Sequence, residues 1–125
     1  MGTVLDHTIV PAIDPQESVR FYTTVMGFEN VGKVGPFDGV RVNQDLTLDI
    51  SQAETTTMHH YAFAMDRDTF DAVFDRVKAE GLPYGDDPHA RTNMRGPGKS
   101  IGSRGMADSV YFPDPSGHSI EIRSY

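Results

Sequence analysis

Two histidines and two carboxylates on strand-like segments are the residues of this sequence best suited to chemistry. They are His7, His60, Asp49 and Glu121. Imidazole nitrogens and carboxylate oxygens together suit a divalent transition metal such as Fe, Zn, Mn, Ni or Co, whereas Ca and Mg prefer oxygen alone. Each residue by itself is a weak signal, because a single His or Glu in a strand is more often structural. Their value depends on whether the fold brings them together.

The segment MHHYAFAMD, residues 58–66, places two histidines side by side. Successive side chains of a strand point to opposite faces of a sheet, so only one of the two can join a site on a given face. The bulky apolar residues of this segment alternate with two alanines, and His60 shares the alanine face, which can line a cavity. His60 is therefore the candidate ligand, and His59 is interpreted as structural.

The elements that must position these residues follow one plan twice. Two amphipathic helices are predicted, residues 14–28 with Asp14 as cap and residues 66–82 with Asp66 as cap, each with a glycine stop near its end. Each helix follows one strand-like segment and precedes three. The strand-like segments are residues 3–13, 29–37, 39–43 and 46–51 in the first half and residues 58–65, a segment near Leu82, 108–112 and 118–125 in the second.

The spacing of these elements supports a duplicated module. His7 and His60 are 53 residues apart, and the glycines that end the two helices are 54 apart. Asp49 and Glu121 hold matching places in the last strand of each half at a separation of 72, so the second half carries about 19 more residues. The repeat therefore pairs His7 with His60 and Asp49 with Glu121.

The composition predicts one soluble domain. A chain of 125 residues can bury one core and is too short for two ordinary domains, so it is divided into module 1, about residues 1–55, and module 2, about residues 56–125. No apolar run approaches the roughly 18 residues of a membrane span, and no signal peptide is recognised, so a cytoplasmic protein is expected. The absence of cysteine excludes thiolate chemistry, and a net charge of −7 argues against nucleic acid as a partner.

One stretch departs from this acidic average. Residues 89–105 carry four basic residues, four glycines and no acidic residue, which is typical of a long loop. The loop is interpreted either as a solvated connection or as a basic lid over an anionic ligand. Arg95, Lys99 and Arg104 are its candidate substrate contacts.

Three phrases of the sequence resemble one known superfamily. LDHTIVPAIDPQESVRFYTTVMGFE (residues 5–29), HHYAFAM (59–65) and VYFPDPSGHSIEIRSY (110–125) are similar to the vicinal oxygen chelate superfamily. It groups glyoxalase I, type I extradiol dioxygenases, fosfomycin-resistance thiol transferases, methylmalonyl-CoA epimerase and bleomycin-binding resistance proteins. The resemblance implies an α+β fold, the glyoxalase/bleomycin resistance/dihydroxybiphenyl dioxygenase fold, in which two βαβββ modules form a half-open barrel around a metal.

The resemblance also implies roles for individual residues. His7, His60 and Glu121 match the metal-ligand positions, and Asp49 matches a fourth ligand of some members, reached directly or through water. One divalent metal (Fe, Zn, Mn, Ni or Co) then acts as a Lewis acid on a small substrate that binds it through two adjacent oxygens, with Glu121 also a candidate catalytic group. Single-domain members commonly form homodimers and build sites from both chains, so a homodimer is expected.

Likeness to the fosfomycin enzymes in particular adds contacts for an anionic group of the substrate. These are Ser109, Tyr111 and Lys99. Tyr111 is either a catalytic acid or a tyrosine that fills the core.

Two classes of function remain open from the sequence. The first is a metal-dependent enzyme with lyase or isomerase, dioxygenase or thiol-transferase chemistry. The second is a metal-free, dimeric drug-binding protein of the bleomycin-resistance type. The complete ligand set favours the enzyme, and the substrate, the metal and the reaction stay open.

Overall fold

The computed structural model describes residues 2–125, which divide into two compact units, one ending at Thr56 and the other beginning at Thr57. Each unit contains a four-stranded mixed sheet and follows the order strand, helix, three strands. The duplicated βαβββ plan that the spacing predicted is therefore present. Within residues 2–125, no helix has the length and apolar character that crossing a membrane requires.

The first unit begins and ends with strands that lie side by side. Its elements are β1 (His7–Ala12), α1 (Pro15–Arg20), a π-helical turn (Phe21–Val25), β2 (Glu29–Val34), β3 (Phe37–Arg41) and β4 (Thr47–Gln52). The strand order is β1-β4-β3-β2, with β1 parallel to β4 and the other pairs antiparallel. The side chain of Asp14 accepts hydrogen bonds from the backbone N–H groups of Gln16 and Glu17, so the predicted helix start is confirmed.

The second unit repeats this topology with a longer helix. Its elements are β5 (His60–Ala64), α2 (Arg67–Ala79), β6 (Gly98–Gly102), β7 (Gly105–Pro113) and β8 (Ser119–Ser124), in the order β5-β8-β7-β6. Asp66 caps α2 by accepting a hydrogen bond from the backbone N–H of Thr69. Helix α2 buries Phe70, Val73, Phe74 and Val77 on one face, as its periodicity predicted.

The second strand of the second module lies where the sequence predicted a loop. β6 pairs with β7 inside the basic stretch of residues 89–105, and near Leu82 the described chain forms only an isolated bridge between Gly85 and Tyr111. The sequence signal for β6 is weak because the strand begins and ends with glycine, which is depleted in strands. The interpretation of residues 89–105 as one unbroken loop was therefore wrong.

Candidate functional site

Each unit places a histidine and a carboxylate on the same face of two parallel strands. His7 is the first residue of β1, and His60 is the first residue of β5. The carboxylate, Asp49 on β4 or Glu121 on β8, lies on the adjacent parallel strand. In both units it pairs with the residue two positions after the histidine. Side chains two positions apart on a strand share a face. The equivalence that the repeat predicted therefore holds at the level of strand register.

In the second unit the histidine and the carboxylate are in contact. Nε2 of His60 lies 2.9 Å from Oε1 of Glu121, with the His60 side chain 42% exposed and the Glu121 side chain 8% exposed. Two donor atoms that bind one metal at about 2.1 Å and at right angles would lie about 3 Å apart. The donor types and their separation therefore fit two neighbouring ligands of one transition-metal ion.

The second oxygen of Glu121 is held by a buried arginine. Nη1 of Arg123 donates to Oε2 of Glu121, and the Arg123 side chain is 6% exposed. The guanidinium also donates to Oγ and the backbone oxygen of Ser100 at 3.0 and 3.2 Å, and to the backbone oxygen of Gly105 at 3.3 Å. Arg123 therefore ties the carboxylate to the β6–β7 hairpin.

The residues around this guanidinium are small because it needs the room. A Cβ on Gly102 would lie 2.3 Å from Nη2 of Arg123 and 2.6 Å from the hydroxyl of Tyr125, far closer than non-bonded atoms approach. Oγ of Ser100 also lies 2.6 Å from Oγ of Ser109. Gly102, one of the two glycines that made β6 resemble a loop, is thus the residue that leaves space for Arg123.

Tyr125 closes the other side of the guanidinium. Its ring lies 4.9 Å from the Arg123 guanidinium carbon and 4.5 Å from that of Arg104. The backbone N–H of Arg104 donates to the Tyr125 hydroxyl, and this bond, aided by Ser103 and Arg123, lowers the pKa of Tyr125 to about 8. Ionised Tyr125 would carry the negative charge that balances this arginine pair.

The first unit presents its pair in a more open setting. His7 is 58% exposed at its side chain, and its Nδ1 lies 2.7 Å from Oδ2 of Asp6. That hydrogen bond, with a smaller contribution from the charge of Asp49, raises the pKa of His7 above its usual range. His7 and Asp49 also line an open pocket of about 640 Å³ with Phe37, Arg41 and other residues of the first unit. This size is within the range of small-molecule sites, roughly 300–1,000 Å³.

The other predicted site residues are divided between the two faces of the second sheet. Tyr111 pairs with Glu121 in the sheet, is 2% exposed, and has its ring 6.3 Å from the ring of His60. Ser109 is on the same face and bonds to the hydroxyl of Ser100. Lys99 is on the opposite face and is ion-paired with Asp108, so the structure does not bring it to the side that carries Glu121.

Two further predicted contacts of the basic stretch have local partners or surface positions. Arg104 stacks on Tyr125, and Arg95 is exposed, with its backbone N–H bonded to the side chain of Asn93. Their role in binding a substrate stays a prediction.

His59, which the sequence assigned to structure, contacts a second histidine, His118. The backbone N–H of His59 donates to Nδ1 of His118 at 3.0 Å, and the two rings lie 5.3 Å apart. His118 is fully buried, and its backbone N–H donates to the side chain of Asp114. These contacts fix the turn between β7 and β8 and leave His60 as the histidine that faces Glu121.

Arg123 is the site residue that sequence reasoning missed. The alternation in SIEIRS placed Arg123 on the face of Glu121, two residues further on, and that was the signal available. Within residues 2–125 of one chain, no three His, Cys, Asp or Glu side chains are grouped as ligands of one metal ion. Each unit by itself carries one histidine and one carboxylate on neighbouring strands.

Comparisons with known proteins agree with this fold. The family model of the Glyoxalase/Bleomycin resistance protein/Dioxygenase superfamily matches residues 4–122. The structure of the oxidase ChaP-H2 matches 100% of this chain and 95% of its own at 35% identity and a TM-score of 0.86, and that of the oxidase ChaP-H1 matches 99% and 97% at 34% identity and 0.85. The lactoylglutathione lyase from Agrobacterium tumefaciens matches 98% and 94% at 21% identity and 0.71, which shows a shared fold.

Proposed function

The chain belongs to the Glyoxalase/Bleomycin resistance protein/Dioxygenase superfamily, and on that premise we propose that it is a metal-dependent oxidase or dioxygenase of a small oxygen-bearing substrate. The observation that carries the proposal is the 2.9 Å approach of His60 Nε2 to Glu121 Oε1. With His7 they make the two-histidine, one-carboxylate set that is typical of non-haem Fe(II) oxygenases. Similarity to two proteins named oxidases, at 34% and 35% identity, favours oxidative chemistry over isomerisation or thiol transfer.

The proposed site is shared by two copies of the chain. His60 and Glu121 of one copy bind the metal, and His7 of a second copy completes the set in a homodimer. This arrangement follows from the expectation, implied by the family resemblance, that single-domain members build their sites from both chains of a homodimer. Asp49 acts through a bound water or as a hydrogen-bond acceptor for the substrate, because its side chain is shorter than that of Glu121.

A metal bound there would supply Lewis-acid stabilisation of negative charge on the substrate and a place for oxygen to react. The residues of the chain do the rest. Glu121 keeps its carboxylate aimed at the metal, while Ala62, on the face of His60, leaves space for a substrate. Arg41, which forms an exposed ion pair with Glu29 at 3.5 Å, lies on the wall of the first unit's pocket, where Phe37 supplies an apolar surface.

The test begins with protein purified without chelator, whose metal content is measured by elemental analysis. We expect close to one divalent transition metal per chain, and iron in particular if the oxidase assignment is right. Chelator-treated protein reloaded with Fe(II) is then mixed with catechol as a probe that has two adjacent oxygens, and oxygen uptake is recorded. Folded protein that takes up no transition metal at micromolar concentration would contradict the proposal.

A second function has one observation in its favour. The net charge of −7 suits the binding of a cationic drug, as a metal-free resistance protein of the bleomycin type would require. Tight binding of bleomycin by chelator-treated protein, with no turnover, would favour this alternative.

A further inference from the structure

We propose that Arg123 is a positioning residue for Glu121, which it holds so that the carboxylate offers the metal only Oε1. The inference rests on the proposed function, because it takes Glu121 to be a metal ligand. It adds a residue outside the histidine–carboxylate pairs of the two units.

The two carboxylate oxygens of Glu121 have different partners. Oε1 faces Nε2 of His60, whereas Oε2 accepts from Nη1 of Arg123. A carboxylate bound in this way on one side cannot turn to chelate a metal through both oxygens without breaking a charge-assisted hydrogen bond. Carboxylates that bind metals are generally fixed by such outer partners.

The guanidinium of Arg123 is itself fixed by several contacts. It bonds to the hydroxyl and the backbone oxygen of Ser100 and to the backbone oxygen of Gly105, and it packs on the ring of Tyr125. Gly102 has no side chain where a Cβ would collide with the guanidinium. A guanidinium fixed by this many partners holds its acceptor in a defined place, as a flexible surface lysine would not.

Burying the charged side chain of an arginine costs desolvation free energy. Arg123 is 5% exposed, its Nε is buried without a hydrogen-bond partner in the described structure, and its charge must be compensated by Glu121 and its oxygen acceptors. If stability alone were at stake, apolar residues in place of both Arg123 and Glu121 would pack here at lower cost. Orientation of a functional carboxylate accounts for the presence of a charge here.

The experiment compares Co(II) binding by the full-length wild-type chain and by Arg123→Lys, which keeps the charge and loses the planar fork. We expect Arg123→Lys to weaken Co(II) binding by about 10- to 100-fold and to change the visible absorption spectrum of the bound Co(II). In the Glu121→Gln background the same substitution should have almost no further effect, because the residue acts through that carboxylate. Arg67→Lys is the matched control, since Arg67 pairs with Asp108 on the opposite face of the sheet.

The outcomes separate the two proposals. Wild-type protein that binds no Co(II) would overturn the proposed function. Wild-type protein that binds Co(II), with folded Arg123→Lys matching it in affinity and spectrum, would overturn the role of Arg123 and leave the function standing. If Arg123→Lys does not fold, Ser100→Ala decides the question, because it removes an acceptor of the guanidinium without touching Glu121: an altered Co(II) spectrum supports the inference, and an unaltered one overturns it.

Discussion

The imidazole of His60 and the carboxylate of Glu121 meet across two parallel strands, with Nε2 2.9 Å from Oε1. The contact joins residues 61 positions apart in the chain, so it depends on the pairing of β5 with β8.

Replacement of His60 by alanine should remove most of the metal affinity. We expect a loss of more than about 100-fold, because even the loss of an outer-shell partner typically costs about 10- to 100-fold. Isothermal titration with Co(II) measures the change. His59→Ala is the control, since its backbone N–H keeps the bond to His118 and its side chain lies on the other face; an equal loss in both variants would argue against His60 as a ligand.

The carboxylate of the first unit should matter less than its histidine. Asp49→Ala should lower Co(II) affinity by about 10-fold or less, as expected for a group that acts through water, whereas His7→Ala should match the loss seen in His60→Ala. The same titration measures both variants. Equal losses for Asp49→Ala and His7→Ala would instead make Asp49 a direct fourth ligand.

Removal of one member of the Arg123–Glu121 ion pair should lower the stability of the fold. Arg123→Met leaves Glu121, 8% exposed, without its guanidinium, and we expect a loss of about 3–5 kcal/mol in the free energy of unfolding. The measurement is urea unfolding of metal-free protein followed by circular dichroism. Glu121→Gln combined with Arg123→Met should recover part of the loss, and additive effects of the two substitutions would contradict direct coupling.

Tyr125 should titrate well below an ordinary tyrosine. The absorbance of its phenolate at alkaline pH, obtained as wild type minus Tyr125→Phe, should have a midpoint of about 8 rather than the usual 10. Because the folded-state pKa is the lower one, ionisation of Tyr125 favours folding; that contribution is complete above pH 10 and is lost as the pH falls through about 8. A difference titration centred near 10 would contradict the assignment.

Two inactive variants should complement each other if the site is shared between copies. His7→Ala and Glu121→Ala chains, unfolded together and refolded as a mixture, should form mixed dimers in which one of the two sites has all three ligands. Metal binding should then return in part, although each variant alone binds poorly. No recovery in a mixture that forms mixed dimers would place the complete site in one chain.

The sequence predicted the elements that carry strong local signals. Asp14 and Asp66 cap their helices as expected, because a carboxylate before a helix satisfies free N–H groups by local chemistry alone. The choice of His60 over His59 followed from strand alternation, and the comparisons confirm the fold class that the resemblance implied. Local rules suffice where the partner is a near neighbour or the pattern repeats.

Prediction from the sequence failed where the type of a residue depends on a contact with a residue distant in the chain. β6 was missed because Gly98 and Gly102 are unfavourable in strands. Their presence is explained by distant contacts, since a Cβ on Gly98 would collide with the backbone oxygen of Asp86 and a Cβ on Gly102 with the guanidinium of Arg123. For the same reason Arg123 was read as one more polar residue on a strand. Periodicity places a side chain on a face, and it does not identify the groups that the side chain meets there.

The two modules carry different residues at one pair of equivalent strand positions. Ser51 in β4 stands two residues beyond Asp49, where Arg123 stands two residues beyond Glu121 in β8. Two halves that arose by gene duplication began with the same residue at this position. Only the second half now has a cationic residue there, next to its carboxylate. The duplicated halves have therefore diverged: the second fixes its carboxylate with a buried guanidinium, and the first has a serine hydroxyl at the matching position.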